Sequence, residues 1–184
     1  MCRTGYIPFI GNWRSGLLRE VHGQVLEVGA GQGPNLDHYP INTRITATEF
    51  NHEAIALAKP KLNAHIRLAS ADIEHLAFPD ATFDAAVATL VFCSVEHPVI
   101  GFSEVKRVLN PGGELYLIEH VRSHHGWLGR LQDRMNARWY AWAEGCNLNR
   151  DTEVNVRAAG FEIGFLDTRY FGLVKTIIAR NPTH

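Results

Sequence analysis

The order of apolar and polar positions along the chain predicts strands alternating with helices. Residues 24–28 form a short apolar run that ends at glycines, as a buried strand does. Residues 44–49 alternate Ile45, Ala47 and Glu49 with Thr46 and Thr48, which is the period of a strand. Residues 52–59 are alanine-rich and helical, stopped by Pro60. A short strand is expected at 66–69. A central one is expected at 83–91, after the turn signal Pro79-Asp80. The helical period at 97–109 ends at Asn110-Pro111-Gly112-Gly113, which turns the chain. Residues 114–121 alternate as a strand, and 127–143 and 153–159 are helical. Residues 161–165 and 175–179 make a final strand pair. This order implies an α/β fold, a mostly parallel sheet with helices on both faces.

Composition narrows the function classes. The chain has 184 residues, 46% of them apolar and 20% charged, which suits a single domain spanning 1–184. A net charge of -1 supplies no basic excess to neutralise phosphates, so no nucleic-acid partner is expected. The three cysteines (Cys2, Cys93, Cys146) have no metal-ligand spacing, and adjacent His124 and His125 are poorly placed to share one ion. No metal is therefore expected, and a reducing, cytoplasmic setting fits. No apolar stretch is long enough to span a bilayer, and residues 1–23 do not read as a signal peptide.

Candidate chemistry begins where the first strand meets Gly29-Ala30-Gly31-Gln32-Gly33. Glycines there let the backbone bend tightly and let a ligand come close. The third glycine comes one residue too early for the dinucleotide fingerprint, which speaks against a nucleotide oxidoreductase. Glu27, in the strand just before the turn, would repel a pyrophosphate but attract an ammonium. Glu49, at the end of the second strand, can accept from both hydroxyls of a ribose. A ligand with an ammonium, a ribose and no phosphate answers both.

With these residues the chain resembles the class I S-adenosylmethionine (SAM)-dependent methyltransferases over nearly its whole length. The resemblance implies a Rossmann-like, seven-stranded, mostly parallel sheet with an antiparallel final strand, and SAM as cofactor. It carries roles position by position. Gly29, Ala30 and Gly31 line the methionine part, within a turn closed by Gly33 and followed by Asn35, and Glu27 helps hold the amino group. Glu49 binds the ribose, Phe50 lies beside the adenine, and Asn51 follows them. Asp72 accepts from the adenine amine, with Ala71 and the Ile73 amide beside it. Thr89 and Leu90 face the sulfonium. From the residues alone, Asp72 has a turn or helix-cap reading as the alternative, and Phe50 a reading as a residue packed against the sheet.

Three further segments are similar to the membrane-associated alkyl thiol methyltransferases of animals and their soluble microbial relatives. They are the run from Thr89 to Val95, then Glu119-His120-Val121, and then Trp127 with Trp139 and the run from Gly145 to Arg150. The N-terminal anchor of the animal members is not seen, so peripheral membrane contact is expected rather than stable insertion. The implied activity is methyl transfer to a small lipophilic acceptor, a thiol favoured. Phospholipid or quinone methylation is the alternative, and a non-catalytic SAM-binding protein is the alternative of another class. Candidate acceptor residues are Phe92, Cys93, Trp127 and Trp139, and His120 is the candidate base. Residues 1–23 are expected as an N-terminal helical cap and 122–150 as a helical insertion over the acceptor. Within that insertion Leu128, Leu131, Met135, Trp139 and Trp142 share one helical face, and Arg130, Arg134 and Arg138 another. The apolar face reads as core packing or a lid, and the basic face as solvated or as meeting a lipid surface. A monomer or homodimer is expected.

Overall fold

The computed structural model describes residues 11–143 and 145–183, so Cys2 and the first ten residues of the expected cap lie outside the described residues. Seven strands form one sheet: β1 (Gln24–Val28), β2 (Arg44–Glu49), β3 (Ile66–Ser70), β4 (Phe83–Thr89), β5 (Leu109–His120), β6 (Glu162–Arg169) and β7 (Val174–Arg180). Their spatial order is β3-β2-β1-β4-β5-β7-β6. The first five are parallel neighbours, and β7 runs antiparallel to both β5 and β6. The family expectation of one reversed final strand is therefore what the sheet shows.

Burial explains the near-continuous apolar runs. Every residue of β4 except Asp84 is buried, as expected of a central parallel strand covered on both faces. One face packs Leu26, Ala86, Leu115 and Leu117 against α3 (Pro98–Val108) and α5 (Thr152–Ala158), through Phe102, Val105 and Val156. The other packs Val25, Ala85, Val87 and Ile118 against Leu17 and Leu18 of α1 (Gly11–Leu18). The remaining helices are α2 (His52–Ala58) and α4 (Gly126–Trp142). The strand order reverses between β1 and β4, which leaves a crevice beyond their carboxyl ends.

Two expected boundaries move for identifiable reasons. The fourth strand stops at Thr89 because Leu90 has φ 59°, outside the extended region. The fifth starts at Leu109, already paired with Phe83. A register shift before Ala85 pairs with Glu114 absorbs the Asn110-Pro111-Gly112-Gly113 turn as a bulge. The Asn181 amide, donating to the carbonyls of Lys106, Leu109 and Asn110, fixes that bulge.

The larger correction concerns α4. The apolar stripe expected to pack inward lies largely outside: Leu131 and Met135 are exposed, and Trp142 is 57% exposed. The residues it buries are Gly129 and Gln132. Gln132 donates to the carbonyls of Val121 (3.0 Å) and Leu148 (2.7 Å) and accepts from the Ser123 amide at 2.7 Å. Gly129 lies so close to Ser123 and Arg122 that a Cβ would come within 2.9 Å of both. The helix is thus held by its small, polar face. Replacing Gln132 with Ala strands three buried backbone groups. Urea unfolding is expected to give a loss of about 2 kcal/mol or more.

Candidate functional site

The crevice beyond the strand ends is a cavity of about 340 Å³, within the size range of small-molecule sites. Gly29, Glu49, Phe50, Ala71, Asp72, Ile73 and Leu90 all reach its wall, together with Thr48, Glu74, Val91, Ser94, Val95 and Glu96. Four of these are carboxylates, and among the described residues no lysine or arginine lines the cavity. Such a wall attracts a cation and repels phosphate.

Glu49 is built into the wall. Its Oε2 accepts from the Gly31 amide at 2.9 Å, and its Oε1 accepts from the amides of Phe50 (3.0 Å) and Asn51 (2.9 Å). A carboxylate has about four acceptor positions, so capacity is left for a ligand hydroxyl. The same bonds hold the glycine turn against β2. At Gly29, φ is +63° and a Cβ would come within 2.7 Å of the Val91 side chain, so the turn has no room for one. Gly31, Ala30 and Gly33 shape this turn from behind the wall, where the Gly33 amide donates to the Ala30 carbonyl at 2.9 Å. Asn51 likewise serves indirectly: its side chain caps α2 by accepting from Glu53 and Ala54.

Asp72 fills the turn role that the sequence offered and also lines the cavity. Its Oδ1 accepts from the Glu74 amide at 2.9 Å, fixing the turn, and its exposed carboxylate stays on the wall. Phe50 is 69% exposed on the same wall, an aromatic face open to a flat ligand ring.

Glu27 sits behind this wall and is fully buried at the end of β1. The Asn35 amide bridges it to the end of β4, donating to Glu27 Oε1 (2.9 Å) and to Thr89 Oγ1 (3.0 Å). Glu27 Oε2 and Asn35 Oδ1 are buried with no hydrogen-bond partner among the described residues. Burial raises the Glu27 carboxyl to about 7. The neighbouring Tyr39 hydroxyl, the Asn35 amide and the Arg14 charge oppose the rise only in part. Sequence reading missed Arg14 and Tyr39. Arg14, buried on α1, has its own affinity for a proton lowered by burial and partly restored by Glu27. Its only signal in the sequence is a basic residue on a short amphipathic segment.

The acceptor-side expectations fare differently. Glu119 is fully buried and accepts from the amides of Val91 (2.9 Å), Phe92 (3.0 Å) and Cys93 (3.3 Å). This draws the loop after β4 onto the sheet and turns Phe92 into the core, where it stacks on Phe102 with ring centroids 3.5 Å apart. Cys93 is buried too, in a cluster with Ala143, Cys146 and the partly buried Trp139. Trp127 is 65% exposed on α4. None of these four reaches the cavity wall. His120 is half-buried at the end of β5. By strand alternation it lies on the face that also carries Glu27 and Thr89, opposite Glu119.

The buried Glu27 carboxyl makes the ligand-free protein pH-sensitive. Below about pH 4.5 the folded and unfolded chains both hold this proton. Between there and about 7 only the folded chain keeps it, so stability falls as pH rises and then levels off. The loss attributable to Glu27 is on the order of 3 kcal/mol. Glu27→Gln is expected to flatten this part of a urea-midpoint-versus-pH profile.

A family model described as a methyltransferase domain matches residues 26–117, half of the chain, from within β1 to within β5. Thiol S-methyltransferase TMT1B of Homo sapiens is 36% identical over 146 residues, covering 74% of this chain and 59% of that protein. Phosphatidylethanolamine N-methyltransferase of Cereibacter sphaeroides is 36% identical over 115 residues, covering 60% of this chain and 57% of that protein. The chain therefore spans less than two thirds of the length of these curated relatives. The crystal structure of a SAM-dependent methyltransferase from Methanosarcina mazei superposes with a TM-score of 0.73. It covers 96% of this chain and 98% of that one at 23% identity, a likeness of fold. Fold, glycine turn and family match agree, and the chain belongs to the class I SAM-dependent methyltransferases.

Proposed function

We propose that this chain transfers the methyl group of SAM to a small lipophilic acceptor, with a thiol favoured. The observation that carries the cofactor reading is the acidic, phosphate-repelling cavity beside the buried, incompletely bonded Glu27 carboxylate. The residues fit SAM: a sulfonium and an ammonium both suit carboxylate surroundings, and Glu27 Oε2 is a buried acceptor with no hydrogen-bond partner among the described residues. Glu49 would hold the ribose hydroxyls, Asp72 the adenine amine, and Phe50 the adenine face. Glu27 would take the ammonium, with Arg14 nearby to balance a carboxylate. Thr89 and Leu90 would bound the reacting end.

When bound, the cofactor supplies the electrophilic methyl group and its own leaving group. What is left to the chain is positioning, exclusion of water and proton handling. A free thiol has a pKa of about 8.5, so only a few percent is thiolate at neutral pH. An imidazole nitrogen of His120 would accept the thiol proton. Glu119 is committed to three backbone amides, which supports His120 over Glu119 in that role.

The thiol preference rests on the likeness to the thiol S-methyltransferase. A second reading, phospholipid methylation, is favoured by the match to the bacterial N-methyltransferase over a shorter stretch. Quinone methylation stays as a further alternative acceptor. Radiolabelled methyl transfer to hydrophobic thiols, phosphatidylethanolamine and quinols separates them. Thiol products are expected, and lipid or quinol products alone overturn the thiol reading. SAM binding by calorimetry with no transfer to any acceptor would instead indicate a non-catalytic binding protein.

Two variants test the roles. Asp72→Ala is expected to weaken SAM binding by about tenfold, the value of one hydrogen bond of about 1.4 kcal/mol. His120→Ala is expected to lower kcat for a thiol by about a hundredfold at neutral pH, recovering as pH passes the thiol pKa. A uniform loss at every pH would assign His120 a structural role.

A further inference from the structure

The outer side of α4 is unlike that of any other helix here. Trp127 (65% exposed), Leu131 (44%), Met135 (48%) and Trp142 (57%) fall within an arc of about 80° at 100° per residue. Single exposed apolar residues are ordinary, but a contiguous row of four large ones marks a surface that meets something apolar. The row cannot relieve itself by rolling inward. Gln132 and Asn136 are committed to the opposite side, Asn136 through Asn147 at 3.1 Å and the Leu148 amide at 2.7 Å. At the start of the helix the patch is continued by Phe171, 75% exposed, whose ring lies 6.4 Å from that of His125.

Arg130 and Arg134 lie just beyond one edge of the row and Arg138 just inside that edge, all exposed. Among the described residues none of the three pairs with a carboxylate. The acid on the helix, Asp133, is bound instead by Arg122 and Asn149. An apolar strip edged by three guanidinium groups has the chemistry of a headgroup boundary. Indole rings suit that depth, and guanidinium groups bind phosphate through paired hydrogen bonds. A second copy fits less well, because a two-fold contact through this face would oppose arginines to arginines.

We propose that α4 is an interfacial helix that lies on an anionic phospholipid surface. Trp127, Leu131, Met135 and Trp142 enter the acyl boundary, and Arg130, Arg134 and Arg138 hold the lipid phosphates. This docking face is independent of which acceptor the active site takes.

The test is co-sedimentation of the full chain with phosphatidylcholine vesicles, with and without phosphatidylglycerol, at low salt, alongside tryptophan fluorescence. Binding with a blue shift is expected on the anionic vesicles. It should fall by roughly a hundredfold in R130E/R134E/R138E, from the loss of three basic contacts. It should be lost in L131E/M135E. Both variants change exposed side chains, and unchanged thermal unfolding and SAM affinity would show that they fold. No binding to anionic vesicles overturns the proposal, as does binding that neither variant alters. Equal binding to neutral vesicles also overturns it. So does a dimer in sedimentation velocity that L131E/M135E dissociates, since a second copy would then own the face.

Discussion

The carboxylate of Glu49, held by three backbone amides from two different loops, is the contact on which the site depends. A parallel sheet leaves its carboxyl ends as loops with unpaired amides, and those loops must be pinned before they can form a cavity. Glu49 pins the glycine turn to the end of β2. Glu119 does the same for the loop after β4, gathering the amides of Val91, Phe92 and Cys93. The Asn35 amide closes the gap between them by joining Glu27 to Thr89. Acidic side chains thus serve twice, satisfying backbone donors inside the protein and setting the sign of the cavity outside them.

That economy has a cost at Glu27. A carboxyl wholly withdrawn from water is held near neutrality, and one of its oxygens is left without a hydrogen-bond partner among the described residues. Unsatisfied buried polar atoms are rare in folded proteins and concentrate where a ligand completes them. The cost of burying this carboxyl is offset by the two apolar layers that cover the sheet.

The cavity wall is built from backbone turns and carboxylates, with the Glu49 side chain held by three amides. Away from the cavity, α4 is held by polar contacts through Gln132 and Asn136 and exposes Trp127, Leu131, Met135 and Trp142. Proteins named for thiol and for phospholipid substrates both resemble this chain, so the shared fold does not by itself choose the acceptor.

The sequence by itself determined the element order, the mostly parallel sheet and the glycine turn with its strand-end carboxylates. Glycines, strand-end carboxylates and period-two apolar runs are local signals, readable from neighbours in the chain. Gly29, Glu49, Asp72 and Leu90 line one cavity beyond the strand ends. Only the tertiary structure decided which way a helix faces and which buried polar groups meet. The apolar stripe of α4 reads as inward-facing until Gln132 is seen bonding three backbone groups from distant segments. Phe92 reads as an acceptor contact until Glu119 is seen pulling its backbone down. Arg14 gains meaning only beside Glu27. In each case the deciding energy is the hydrogen-bonding of buried polar groups across long sequence separations, which hydrophobic periodicity does not encode.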